Sequence, residues 1–91
     1  MAYRVVVLPF AEADLESLDP EVRRRILRRV VWLGESAPRM VHHQLTNMAD
    51  DLVGLCRLRV GDYRILYWVY HQQRELKVYR IRHRSEVYRR F

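Results

Sequence analysis

The chain has 91 residues, 49% of them hydrophobic, which is enough apolar material for one modest core and too much for a disordered chain. Its 17 basic residues outnumber 11 acidic ones for a formal charge of +6, and 16 of the 17 are arginine, with Lys77 the exception. That balance points to a polyanionic partner (nucleic acid, an anionic membrane or an acidic protein), and arginine suits bidentate contact with phosphate. An arginine-favouring genome or growth temperature would leave the same mark, so composition goes no further. The single cysteine, Cys56, excludes an intramolecular disulfide and fits a reducing compartment; within its strand-like run it reads as a small core hydrophobe. The N-terminal apolar run is short and broken by Pro9, and no stretch approaches the ~20 apolar residues of a membrane span, so a soluble cytoplasmic protein is expected.

In chain order, Tyr3 to Leu8 is β-branched and short, a strand bounded by Pro9. Ala11, Leu15 and Leu18 then recur at i, i+4, i+7, predicting a short amphipathic helix. Asp19-Pro20 restarts the chain as a second helix, Asp at the N-cap and Pro at the first helical position. It runs to about Glu35, ended by Gly34 and Pro38. Val22, Ile26, Val30 and Leu33 form its apolar stripe, widened by Leu27 and Val31. Arg23, Arg24, Arg25, Arg28 and Arg29 lie on the other face, where a plain solvated surface is the simplest reading.

Residues 36–52 lack a clean period and read as a loop with room for one turn of helix. Three strands follow: Val53–Val60, a Gly61-Asp62 turn, Tyr63–His71, a polar turn, and Glu75–Arg82. Ser85 could cap a short terminal helix or begin a tail. The expected architecture is a single α+β domain over residues 1–91, ordered β-α-α-β-β-β, with two helices on one face of a four-stranded, mainly antiparallel sheet.

Arg57 and Arg59 are two apart in a strand, so they project from one face about 6.6 Å apart, while Cys56, Leu58 and Val60 face the helices. The Gly61 turn returns Arg64 beside them. Arg80 and Arg82 share a face of the last strand, although a bulge could re-aim either. The result is a shallow cationic surface with Tyr63, Tyr67, Trp68 and Tyr70 nearby, either as packing or as a base-stacking platform.

Familiar catalytic constellations do not emerge. His42 and His43 are adjacent and cannot chelate together from a strand, the lone cysteine offers no zinc set, and Asp50-Asp51 is a weak carboxylate pair. There is no phosphate-cradling glycine loop and no Ser-His-Asp spacing. Chemistry on RNA needs none of these, because RNA carries its own nucleophile in the 2′-OH. A protein need only align that hydroxyl, stabilise the dianionic transition state and help protons move. The C-terminal "IRHRSEVYRR" offers His83, Tyr88 and several guanidiniums for that task. Positive surroundings would depress the pKa of Tyr88 toward that of a usable base.

The segments "RLRVGDYRILYWV" and "VYRIRHRSEVYRR", following "AEADLESL" and a long second helix, resemble the RelE/ParE superfamily of bacterial toxin–antitoxin toxins, and its RelE branch most. The resemblance covers essentially the whole chain. It implies a metal-free, cofactor-free messenger-RNA endonuclease that acts in the ribosomal A site and leaves a 2′,3′-cyclic phosphate. The implied partners are the ribosome, mRNA and a cognate antitoxin that wraps the toxin, with no membrane; the free toxin would be a monomer that forms a hetero-oligomer with its antitoxin.

By the same resemblance, Arg57 and Arg59 match the basic pair at the scissile region and Arg64 the arginine that holds the phosphate. Arg82 matches the arginine assigned to transition-state charge or leaving-group protonation, and Tyr88 the terminal tyrosine that orients or deprotonates the nucleophile. His83 is a candidate acid or base, and Arg80, Arg84, Arg28 and Arg29 are candidate RNA contacts. Many RelE toxins carry lysine where this chain has Arg57 and Arg59. Arginine cannot be deprotonated at a workable pH, so the base falls to Tyr88, His83 or solvent. Two other readings stay open: a ParE-like inhibitor of DNA gyrase that cleaves nothing, and a basic binding module without activity.

Overall fold

The computed structural model describes residues 2–86. Strand β1 spans Arg4–Val7 and leads through Pro9 into helix α1, Pro9–Glu16; helix α2 spans Pro20–Ser36. Strand β2 is the two-residue His43–Gln44, and β3 (Cys56–Val60), β4 (Tyr63–Tyr70) and β5 (Glu75–His83) follow. Single turns of 3-10 helix lie at Asp50–Leu52 and Arg84–Glu86. The sheet order is β1-β5-β4-β3-β2, with β1 parallel to β5 and all other pairs antiparallel.

The sheet therefore has five strands, where four were expected. The extra one lies in the stretch 36–52, which carries no alternation of its own. His43 and Gln44 become a strand only because β3 offers an edge, pairing them with Arg57 and Cys56. A two-residue edge strand leaves no periodic trace in a sequence.

One apolar core lies between the helices and the sheet. Ala11 and Leu15 from α1, Ile26, Val30 and Leu33 from α2, and Cys56, Val60, Ile65, Tyr67, Leu76, Val78 and Ile81 from the strands are buried together. The α2 stripe is narrower than expected, since Leu27 and Val31 stand 39% and 59% exposed. Nor does Gly34 end α2, which runs on to Ser36. A Cβ on Gly34 would come 2.6 Å from a Val5 methyl and 3.1 Å from the Tyr3 carbonyl, so glycine is there to let β1 approach the helix. Asp19 occupies the N-cap without a capping side-chain bond. Arg23 joins the helices instead, donating to the Leu15, Glu16 and Leu18 carbonyls that close α1.

The far side of the sheet is not uniformly open. Leu66 is fully buried there with Leu52 and Leu55, apart from the helix-side core. The 50–55 segment comes against this face, where Trp68 Nε1 donates to the Val53 carbonyl at 3.1 Å. Among the described residues, no helix is long and apolar enough to cross a membrane.

Candidate functional site

Strand register decides which arginines meet. Arg59 lies opposite Arg64, and Arg64 lies opposite Arg82. Directly paired strand positions share a face with Cβ atoms ~5 Å apart, so these residues form one row across three strands. Arg57 lies one row away, opposite Leu66, with His43 on its other side. The row stands at the end of the sheet closed by the Gly61-Asp62 turn, and Gly61 supplies the positive φ of 59° that the turn needs.

The third arginine owes its place to a bulge. From Tyr70–Glu75 to Tyr67–Val78 the β4–β5 pairing is regular, then it shifts by one residue between Leu66 and Tyr67, and Leu66 faces Arg80. Tyr79 is the extra residue. Below it the even-numbered Leu76 and Val78 face the helices; above it the odd-numbered Ile81 does. Without the bulge, Arg82 would point into the helix-side core. With it, Arg82 joins Arg64.

Like charges directly across strands repel, and guanidinium cannot relieve this by losing a proton. Among the described residues no carboxylate lies within ion-pair distance of Arg59 or Arg64; the Arg64 guanidinium donates to the Tyr63 carbonyl at 3.2 Å. Arg59 and Arg64 are therefore matched in charge when an anion lies across them. Farther along the same face, Trp68 and Tyr79 rings lie 5.1 Å apart and Phe10 meets Tyr79 edge-on at 6.1 Å, a short aromatic surface beside the cations.

The other candidates divide. Arg80 does not stand with Arg82: at the bulge it reaches α1, where its guanidinium donates to both Asp14 carboxylate oxygens at 2.9 and 3.1 Å. That side-chain bond holds the Arg80 charge more firmly than usual. Asp14 also accepts from the Ile81 amide at 2.9 Å, capping the edge of β5 just beyond the end of β1. Sequence reasoning missed Asp14 because its partner lies 66 residues away.

His83 lies on the helix side, edge-on to Tyr63 at 5.3 Å. Its Nδ1 accepts from the Ser85 amide at 3.2 Å and meets the Ser85 hydroxyl at 2.9 Å. The structure does not bring it to the arginine row. The Arg84 guanidinium makes a loose surface pair with Asp62, 3.8 Å away, and the Arg84 amide donates to the Asp62 carbonyl at 2.6 Å. Arg28 and Arg29 lie on α2 and not on the sheet face of the row, with Arg29 stacked over Trp32 at 4.1 Å. Tyr88 lies outside the described residues.

At the opposite end of the sheet, Tyr67 donates to His42 Nδ1 at 2.7 Å, while His42 Nε2 donates to the Ala37 carbonyl at 3.0 Å. Burial, and to a lesser degree the neighbouring Cys56, pushes the Tyr67 phenol far above its ordinary pKa. His71 lies beside His42 and bonds Tyr3 at 2.8 Å. The rings of His42 and Tyr67 are thus committed to tying residues 37–42 onto β4.

A small α+β fold with an arginine row across a half-covered sheet defines a class of basic α+β proteins. Comparison with known proteins narrows it. The family model described as the ParE toxin of the parDE type II toxin–antitoxin system matches residues 5–88. The chain belongs to that family, within the RelE/ParE superfamily of type II toxin–antitoxin toxins. Among solved structures it is similar to one from the RelBE2 toxin–antitoxin complex of Mycobacterium tuberculosis, at 23% identity and a TM-score of 0.77, over 93% of this chain and 94% of that one. An archaeal RelE–RelB complex from Pyrococcus horikoshii OT3 matches at 29% identity and a TM-score of 0.70, over 96% and 100% of the two chains. A chromosomal ParDE system of P. aeruginosa matches at 17% identity and 0.68, over 90% and 96%. No curated protein sequence matches the chain.

Proposed function

We propose that this toxin is a metal-independent endoribonuclease of the RelE type, which cuts messenger RNA in the ribosomal A site and is held inactive by a cognate antitoxin. The observation that carries the reading is the unbroken row Arg59–Arg64–Arg82 on one sheet face. It suits a reaction whose difficulty is concentrated negative charge on phosphorus. The 2′-oxygen attacks phosphorus as its proton departs, the bond to the 5′-oxygen breaks, and that oxygen takes up a proton. The products are a 2′,3′-cyclic phosphate and a 5′-hydroxyl. Guanidiniums placed before the reaction stabilise the dianionic transition state without reorganising.

With His83 turned to the helix side, removal of the 2′-OH proton falls to Tyr88 or solvent, and the role of Tyr88 rests on the sequence motif alone. Arg57, one row away, would hold the neighbouring nucleotide, and the Trp68–Tyr79 surface suits a stacked base. The antitoxin partner is supported by the solved relatives, which are toxin–antitoxin complexes.

The test is to add purified toxin to a translating ribosome complex and map message ends by primer extension. New ends within the A-site codon are expected, falling at least ~10²-fold with Arg64→Ala, the loss typical of one charge-stabilising donor. The match to the ParE family favours a second reading, inhibition of DNA gyrase. An intact message together with a blocked supercoiling reaction would establish that reading in place of the first.

A further inference from the structure

On the α2 side of the hairpin the surface sinks into a concavity of about 390 Å³, lined by Glu21, Val22, Arg24, Arg25 and Arg28. Three guanidiniums against one carboxylate leave it strongly cationic. None of the three arginines has an ion pair among the described residues. Arg29, next on the helix, is turned away onto Trp32.

Arg25 connects this concavity to the sheet. Its guanidinium lies on the Gly61 turn, with one nitrogen 3.2 Å from where a Cβ on Gly61 would stand. The same turn carries Arg59 on its incoming strand and Arg64 on its outgoing one. Positive charge therefore flanks the hairpin tip on both sides, the row on one and Arg25 with the concavity on the other, while Asp62 at the tip pairs loosely with Arg84 at 3.8 Å. A polymer with regularly spaced phosphates can reach both sides, whereas a single small anion can fill only one of them.

We propose that the Arg24–Arg25–Arg28 concavity is a second phosphate-binding site, which holds a backbone phosphodiester of RNA while the sheet row holds the scissile one. The proposal rests on the ribonuclease reading. Forked guanidiniums match phosphate oxygens bidentately, and mutual repulsion among the three is relieved when a phosphate sits between them. The phosphodiester could belong to the message strand or to ribosomal RNA. An acidic protein segment is the competing occupant, but it gives no reason for the charge to stand on both sides of the turn.

The experiment measures binding of the full chain to 2′-O-methyl RNA, which cannot be cut, by fluorescence anisotropy across a salt series. A trinucleotide and a decanucleotide serve as probes, and vacant ribosomes as a third by co-sedimentation. The Arg25→Gln/Arg28→Gln variant, checked for folding by circular dichroism, is expected to bind the decanucleotide about tenfold more weakly. Its salt slope should fall by ~0.7 for each phosphate it no longer neutralises. Weakening of the decanucleotide but not the trinucleotide assigns the site to the message strand; weakening on vacant ribosomes alone assigns it to ribosomal RNA. Unchanged RNA affinity and slope would overturn the proposal, and weakened binding to poly-glutamate alone would give the concavity to an acidic protein. An Arg64→Ala control separates the failures. If it weakens the trinucleotide while the double variant changes nothing, the site fails and the ribonuclease reading stands. If Arg64→Ala has no effect, both fall.

Discussion

Asp14 and Arg80 show how much a single pair can carry. The carboxylate accepts two bonds from Arg80 and one from the Ile81 amide, and the two side chains are 15% and 18% exposed. Asp14→Ala would leave a largely covered guanidinium and a strand amide unpartnered at once. We expect a loss of about 2–3 kcal/mol in urea unfolding, with Asp14→Asn recovering part of it. Cys56 and Tyr67 carry the pH dependence. Burial raises the thiol and the phenol above their ordinary values. Each folded-state value therefore exceeds its unfolded one, so the stability each contributes is complete below the unfolded pKa and is lost as pH climbs toward the folded value. Thermal stability under reducing conditions should thus fall above pH ~8.5 as the unfolded thiol ionises, and fall more steeply above ~10. Cys56→Val should remove the first decline and leave the second.

At the scale of the element, the β3–β4–β5 row sets function against stability. Guanidiniums directly across adjacent strands repel, and an anion bound at Arg59 and Arg64, or the removal of one of these charges, relieves it. Arg59→Ala, at an exposed position, should leave the melting temperature unchanged or raise it while lowering RNA cleavage. Added pyrophosphate should raise the melting temperature of the wild type and do so far less in Arg59→Ala/Arg64→Ala, as expected for a ligand that binds the folded state at this row. A row built only for packing would lose stability in Arg59→Ala and would not respond to pyrophosphate. Helix α2 shows a related division. Ile26, Val30 and Leu33 bury its inner face, Gly34 admits β1, and Arg25 reaches the hairpin tip. One helix thus spans the sheet from its edge strand to the end that carries the arginine row.

At the scale of the whole molecule, part of this arrangement was legible without coordinates. Period-2 runs around a glycine turn marked β3 and β4, and alternation alone placed Arg57, Arg59 and Arg64 opposite Cys56, Leu58 and Val60. The apolar spacing of Ala11, Leu15, Ile26 and Val30 marked both helices and the face they bury. These features are local: each depends on residues a few positions apart and on the fixed periods of strand and helix. The superfamily resemblance, carried by the two arginine-rich strand motifs, was legible for the same reason, and the family match over residues 5–88 agrees with it. What tertiary structure decided depends on residues far apart in the chain. The bulge at Tyr79 exists only in the pairing of β4 with β5, yet it selects the face of Arg82 and frees Arg80 for Asp14. Strand β2 exists only because β3 offers it an edge, and His83 faces the helices only because the parity of β5 has already been shifted. Composition and short-range periodicity determined that this chain would be a basic α+β domain with arginines gathered on one sheet face. Which guanidiniums meet there was settled by strand register, because a shift of one residue exchanges the two faces of a sheet and leaves no mark in the residues themselves.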